Sequence, residues 1–154
     1  MDGQKLGVAM HGDISGLSGL EIMQAMIAGR LPSSPMAGWL RFGLVQAEEG
    51  LAVFEAEPDA NFLSPLGTVH GGWALVLIDS ATGCAAQTVL EPGASYATVE
   101  THANFNRPIM PDSGTIRVEG KVIARGRRII TAEARVTDAT GRLLAHGGST
   151  LMVL

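Results

Sequence analysis

Val69-His70-Gly71-Gly72-Trp73-Ala74-Leu75-Val76-Leu77-Ile78-Asp79-Ser80-Ala81-Thr82-Gly83-Cys84-Ala85-Ala86-Gln87 is the stretch on which the fold turns. From Trp73 to Leu90 the residues are apolar on nearly every side of a helix, and Pro92-Gly93 ends the run. A helix of that character cannot face water, so it is expected in the middle of the molecule. His70 and Asp79 inside the same run make a membrane-spanning reading poor.

Outward from this rod the chain reads as strands. Leu40, Phe42 and Leu44 alternate with Trp39, Arg41 and Gly43, predicting a strand from Trp39 to Gln46, and a second follows the Glu49-Gly50 turn as far as Glu57. Pro58 to Thr68 is a loop by its Pro, Asn, Ser and Gly content. Beyond the rod, Tyr96 to Asn106, Thr115 to Ala124, Arg128 to Asp138 and Arg142 to Val153 are strand-like. In the third of these, Ile130, Ala132, Ala134 and Val136 alternate with Thr131, Glu133, Arg135 and Thr137, so one face is apolar. Six strands and one buried helix imply an α+β fold, an antiparallel sheet wrapped on the helix. His-Gly-Gly recurs at His146 to Gly148 with unmatched flanks, and no internal repeat follows.

Upstream, Ser18 and Glu21 fit a capping box, and Leu20, Met23 and Ile27 then recur at helical spacing until Gly29 and Pro32. Residues 1–16 are expected to be a flexible arm and 17–154 a single domain, since 154 residues are too few to divide comfortably into two cores. Eleven basic and fifteen acidic residues leave a net charge of −4 without long runs of either sign, which argues against nucleic acid as a partner. The one cysteine, Cys84, and the lack of an apolar N-terminal leader point to the cytoplasm.

The chain has no Cys-x-x-Cys, no His-Glu-x-x-His, no Gly-x-Ser-x-Gly and no glycine-rich phosphate fingerprint. His11 and His102 stand at no ligand spacing from another His or Cys, so no metal is expected. What remains is His70-Gly71-Gly72 and Asp79. A carboxylate amid Leu75, Val76, Leu77, Ile78 and Ala81 loses hydration that specific partners must replace. Either Asp79-Ser80 caps a second helix or bonds to a neighbouring backbone, or Asp79 is catalytic. Gly71-Gly72 is either a place of close packing or, at a helix N-terminus, a source of backbone N–H groups that polarise a carbonyl oxygen.

Gly71 and Asp79 are eight residues apart, which on one straight helix is roughly 12 Å along the axis at ~1.5 Å per residue. They cannot clasp one carbonyl carbon. The two groups are therefore expected to come from different copies of the chain, across a two-fold axis between antiparallel helices.

These residues resemble the phenylacetate-type, PaaI-like acyl-CoA thioesterases of the hotdog superfamily. The resemblance runs from about Gly19 to Leu154. It is carried by Pro65-Leu66-Gly67-Thr68-Val69-His70-Gly71-Gly72, Leu77-Ile78-Asp79-Ser80-Ala81, the segment Thr98 to Pro108, and Asp138 to His146. It implies a hotdog fold, a homodimer or homotetramer, and hydrolysis of a small or medium acyl-CoA, aromatic ones included. Asp79 would serve as general base or nucleophile, and the Gly71 N–H would polarise the thioester carbonyl. It further implies that His70 shapes the oxyanion end, with Gly72 beside it, and that Thr98 orients the attacking water. Capping and ordinary strand packing are the structural alternatives for those two side chains.

The family usually places Asn before the Pro-Leu-Gly segment, where this chain has Ser64; Asn61 replaces it only if the loop is rearranged. Arg125, Arg127 and Arg128 form a basic turn that either holds CoA phosphates or is a solvated hairpin tip, and Arg107 is similarly ambiguous. No cofactor is expected, coenzyme A being part of the substrate. The rival functions are a hotdog hydratase or dehydratase and a non-catalytic acyl-CoA binding module.

Overall fold

The structure, a computed structural model, describes residues 5–154. Three short helices, α1 (His11–Ile14), α2 (Gly19–Ile27) and α3 (Pro35–Trp39), precede strands β1 (Phe42–Glu48) and β2 (Leu51–Ala56). A 3-10 turn (Ala60–Phe62) leads to the long helix α4 (Gly71–Gln87), and β3 (Tyr96–Phe105), β4 (Ile116–Arg125), β5 (Ile129–Thr137) and β6 (Leu143–Val153) complete the chain.

The strands form one sheet in the order β1-β2-β4-β5-β6-β3, antiparallel at every pair. Its inner face wraps α4, as the apolar pattern requires: Leu77, Ile78, Ala81 and Ala85 are buried against Ile116, Val118, Ala134 and Val136. Full burial of a side chain such as Leu77 or Ile78 contributes roughly 1.5–3 kcal/mol. Sheet and helix touch most closely at Gly120, where an added Cβ would lie 2.2 Å from the Ala81 carbonyl oxygen, so only glycine fits. Among the described residues no helix is long and apolar enough to cross a membrane.

The capping box forms as read: Ser18 Oγ accepts from the Glu21 N–H at 3.3 Å, and Glu21 Oε2 accepts from the Ser18 N–H at 2.8 Å. Of the expected arm over residues 1–16, residues 1–4 lie outside the described residues. Gly7 N–H donates to the Ser33 carbonyl at 2.9 Å, and His11–Ile14 form α1.

The strand expected from Trp39 begins instead at Phe42. Ser34 caps and Pro35 opens α3, which claims Trp39, and Arg41 at φ 55° turns the chain before β1. The second helix start at Asp79-Ser80 is likewise corrected, because α4 runs unbroken through both residues. The second His-Gly-Gly lies inside β6, where a Cβ on Gly147 would meet the His102 carbonyl oxygen at 2.0 Å.

Candidate active site

The tip of α4 is built by His70, Gly71 and Gly72. His70 is the N-cap: its Nδ1 accepts from Gly72 N–H at 2.9 Å and its carbonyl accepts from Trp73 N–H at 2.9 Å. Of these three leading donors, Gly71 N–H alone is left without a partner among the described residues, at the positive end of the helix dipole. The ring of Phe105 lies over it, and a Cβ on Gly71 would sit 3.1 Å from Phe105 Cζ. Around this tip is a cavity of about 340 Å³ lined by Thr68, His70, Gly71, Phe105 and Arg107, among others.

Two turns along, half-buried Asp79 faces a different space. Its Oδ1 accepts from Thr101 Oγ1 at 2.9 Å. Behind Thr101 stand Ser149 Oγ at 3.0 Å and then Thr82 Oγ1, 2.7 Å from Ser149. A hydroxyl carries one hydrogen and a carboxylate only accepts. The assignment that fills all three contacts is therefore directional, from Thr82 to Ser149 to Thr101 to Asp79, and such chains polarise one another. The Thr82 hydroxyl also stands 2.9 Å from the Ile78 carbonyl and 3.1 Å from the Asp79 carbonyl, so its one hydrogen is shared between these oxygens and Ser149. Oδ2 of Asp79 has no hydrogen-bond partner among the described residues.

Asp79 lines a cavity of about 450 Å³ together with Cys84 and Tyr96. Burial, and then the Asp79 charge, push the Cys84 thiol up to about 12. Burial, Cys84 and Asp79 in turn push the Tyr96 phenol up. Both stay neutral at physiological pH, which removes Cys84 as a thiolate nucleophile.

The remaining expected residues are spread out. Thr98 pairs with Leu151 on β3, exposed and without a hydrogen-bond partner among the described residues. Thr101, which no sequence pattern singles out, is the residue whose side chain bonds the Asp79 carboxylate among the described residues. A register shift between Thr98 and Glu100 decides how side chains on β3 face the helix, and no local pattern announces it. Ser64 closes its own turn, 3.3 Å from Thr68 Oγ1 and accepting from Leu66 N–H at 3.3 Å. Asn61 donates to Asp59 at 2.7 Å and borders a shallow space with His70, Gly72 and Trp73.

Arg107 donates to the Leu143 carbonyl at 2.7 Å beside the helix tip. Arg125, 3.8 Å from Glu91, stands with Arg127 and Arg128 at the exposed β4–β5 turn, beyond the C-terminal end of α4. Within one copy that turn is separated from Gly71 by the full helix of 17 residues.

A buried helix wrapped by an antiparallel sheet, with a free N–H at its tip and a carboxylate in its middle, defines an architecture with known relatives. The sequence model of the Thioesterase superfamily matches residues 66–145. SSO2140 of Saccharolobus solfataricus is 34% identical over 111 residues, 72% of this chain and 77% of its own. The 1,4-dihydroxy-2-naphthoyl-CoA hydrolase of Listeria monocytogenes is 28% identical over 110 residues, 71% of this chain and 88% of its own. The phenylacetic acid degradation-related protein of Ralstonia eutropha JMP134 superposes with a TM-score of 0.77 at 26% identity, over 84% of this chain and 98% of that one. The chain belongs to the Thioesterase superfamily, as a PaaI-like thioester hydrolase of hotdog fold.

Proposed function

We propose that this protein hydrolyses an acyl-CoA thioester to the free acid and CoA, at sites assembled between two copies of the chain. The observation that carries this reading is the separation of the two chemical groups. The unpartnered Gly71 N–H and the Asp79 carboxylate border different cavities, on one rigid helix. A donor and a base must each come within roughly 3 Å of the reacting atoms, so one copy cannot bring both to a single thioester.

The outer edge of β3, unpaired among the described residues, supports the same reading. Ten residues of antiparallel strand, with Val99 and Phe105 exposed on it, are a template for a second β3 across a two-fold axis. Such a pairing sets the α4 helices side by side and antiparallel, one copy's tip against the other's middle. Two such dimers forming a tetramer is the further extension.

In this site Asp79 Oδ2 takes a proton from water as the oxygen attacks the carbonyl carbon. The oxyanion formed lies against the partner's Gly71 N–H. Collapse breaks the C–S bond, and the proton held by Asp79 goes to the departing CoA sulfur. Alternatively the carboxylate attacks first, giving a mixed anhydride that water opens. Thr98, with a free hydroxyl at the β3 edge, orients the water; His70 and Gly72 shape the oxyanion end. Arg107 borders that end, and Arg125, Arg127 and Arg128 offer charge for CoA phosphates. Ser64 and Asn61 play the weaker part that their engagement in the preceding loop leaves them. Coenzyme A enters as half of the substrate and no other cofactor is called for.

The test is free-thiol release across a panel of acyl-, enoyl- and hydroxyacyl-CoA substrates. Wild type releases CoA and Asp79→Asn loses about 10³-fold in kcat while still binding ligand. Hydration without thiol release, or an Asp79→Asn variant as fast as wild type, contradicts the proposal.

A further inference from the structure

We propose that the acyl group is an uncharged, straight aliphatic chain of medium length, held between α2, α3 and α4 of the subunit that supplies Asp79, with Met23 and Met26 setting its length. This rests on the acyl-CoA reading above. The cavity beside Asp79 measures about 450 Å³. Ser80, Cys84 and Gln87, four and three residues apart on one face of α4, form its floor, so it extends roughly 12 Å from the carboxylate at ~1.5 Å per residue. Facing them are Ile22, Met23 and Met26 of α2 and Met36 of α3, with Phe42 and Phe54 of the sheet closing the side.

Charge and size narrow the occupant. Among the described residues, Asp79 is the one side chain of a charged type on the lining. An acyl group ending in a carboxylate would therefore lose its hydration with no counter-charge to replace it. A void of ~150 Å³ is enough for benzene, so a single ring would leave most of this space unfilled. At about 30 Å³ of liquid volume per methylene-sized unit, packing already included, the volume holds at most about fifteen carbons, and its roughly 12 Å depth admits fewer. Methionine walls adapt to a flexible chain without polar atoms to satisfy.

The wall formed by α2, α3 and the turn between them is drawn from residues 22–37, outside the segment 66–145 that the superfamily sequence model matches. Length preference is thus set by side chains of the N-terminal helices, separable from the chemistry of α4.

The experiment is kcat/KM by thiol release from the full chain, for straight acyl-CoAs of increasing length together with phenylacetyl-CoA and succinyl-CoA. Wild type is expected to gain about three- to fourfold per added methylene up to a maximum near eight to twelve carbons. Met26→Trp is expected to lower the decanoyl-to-butanoyl ratio at least tenfold. Met23→Ala moves the maximum to longer chains and carries the test should the first variant not fold. A maximum on phenylacetyl-CoA or succinyl-CoA, or a chain-length profile that neither folded variant moves, overturns the inference and leaves acyl-CoA hydrolysis standing. Release from none of the substrates overturns both.

Discussion

The tip and the middle of α4 solve opposite problems with the same helix. At the tip the chain has almost no side chains: two glycines expose backbone N–H groups, one used up by His70 Nδ1 at 2.9 Å and one left free. In the middle, a charged side chain is set among apolar neighbours and one of its oxygens is fixed by a chain of hydroxyls through Thr101, Ser149 and Thr82. The tip supplies a fixed positive dipole at no desolvation cost. The middle supplies a negative charge whose orientation has to be held from outside the helix. Neither place is chemically complete, and the rigidity of 17 helical residues keeps them apart.

The comparison can be broken most sharply at Gly71. Proline at the first helical position keeps the helix, and the extended backbone of His70 (ψ 133°) accepts it, but it removes the N–H. Gly71→Pro is therefore expected to lower kcat about 10²-fold. Gly71→Ala meets the same Phe105 contact at 3.1 Å yet keeps the donor, so it should lose far less. Equal losses in steady-state kinetics would mean that packing, not the donor, matters at the tip.

A smaller effect is expected at the middle. Thr101→Val removes the bond that fixes Asp79 Oδ1 and should reduce kcat roughly tenfold with KM little changed, while Thr101→Ser restores it. A KM-only effect would show that Thr101 shapes the pocket and does not position the carboxylate.

The smallest effect is a control away from both places. Asp138 accepts from the Thr140 hydroxyl at 2.6 Å and from the backbone N–H groups of Thr140 and Arg142, which hold its carboxyl down to about 2. A depressed folded-state pKa stabilises above the unfolded value near 4 and is lost as pH falls toward 2. Thermal melts of wild type should decline through that window. Asp138→Asn should flatten the decline and leave hydrolysis at neutral pH within twofold of wild type; an unchanged decline would remove Asp138 as its source.

How much of this was legible in the sequence follows from how local each feature is. The Ser18–Glu21 capping box, the apolar rod and the alternating faces of β5 are set by neighbours within a few residues, and they stand where the pattern placed them. His70 and the two glycines were legible as a helix start for the same reason. The β1 boundary was not, because Arg41 at φ 55° interrupts an alternation that composition alone continues. Thr101 was not legible either. Its partner lies 22 residues away, and the irregularity between Thr98 and Glu100 shifts the register that would have pointed to it. A β-branched residue on a strand carries no mark of the carboxylate it holds.

The central claim, that each site takes its donor from one copy and its carboxylate from another, is tested by mixing Asp79→Asn with Gly71→Pro subunits after dissociation and reassembly. Each variant alone is expected to be nearly inactive. In mixed dimers one site of the two combines an intact Gly71 with an intact Asp79, so an equal mixture should recover about a quarter of wild-type kcat. A mixture no more active than its two components would place both groups within a single subunit and contradict the account.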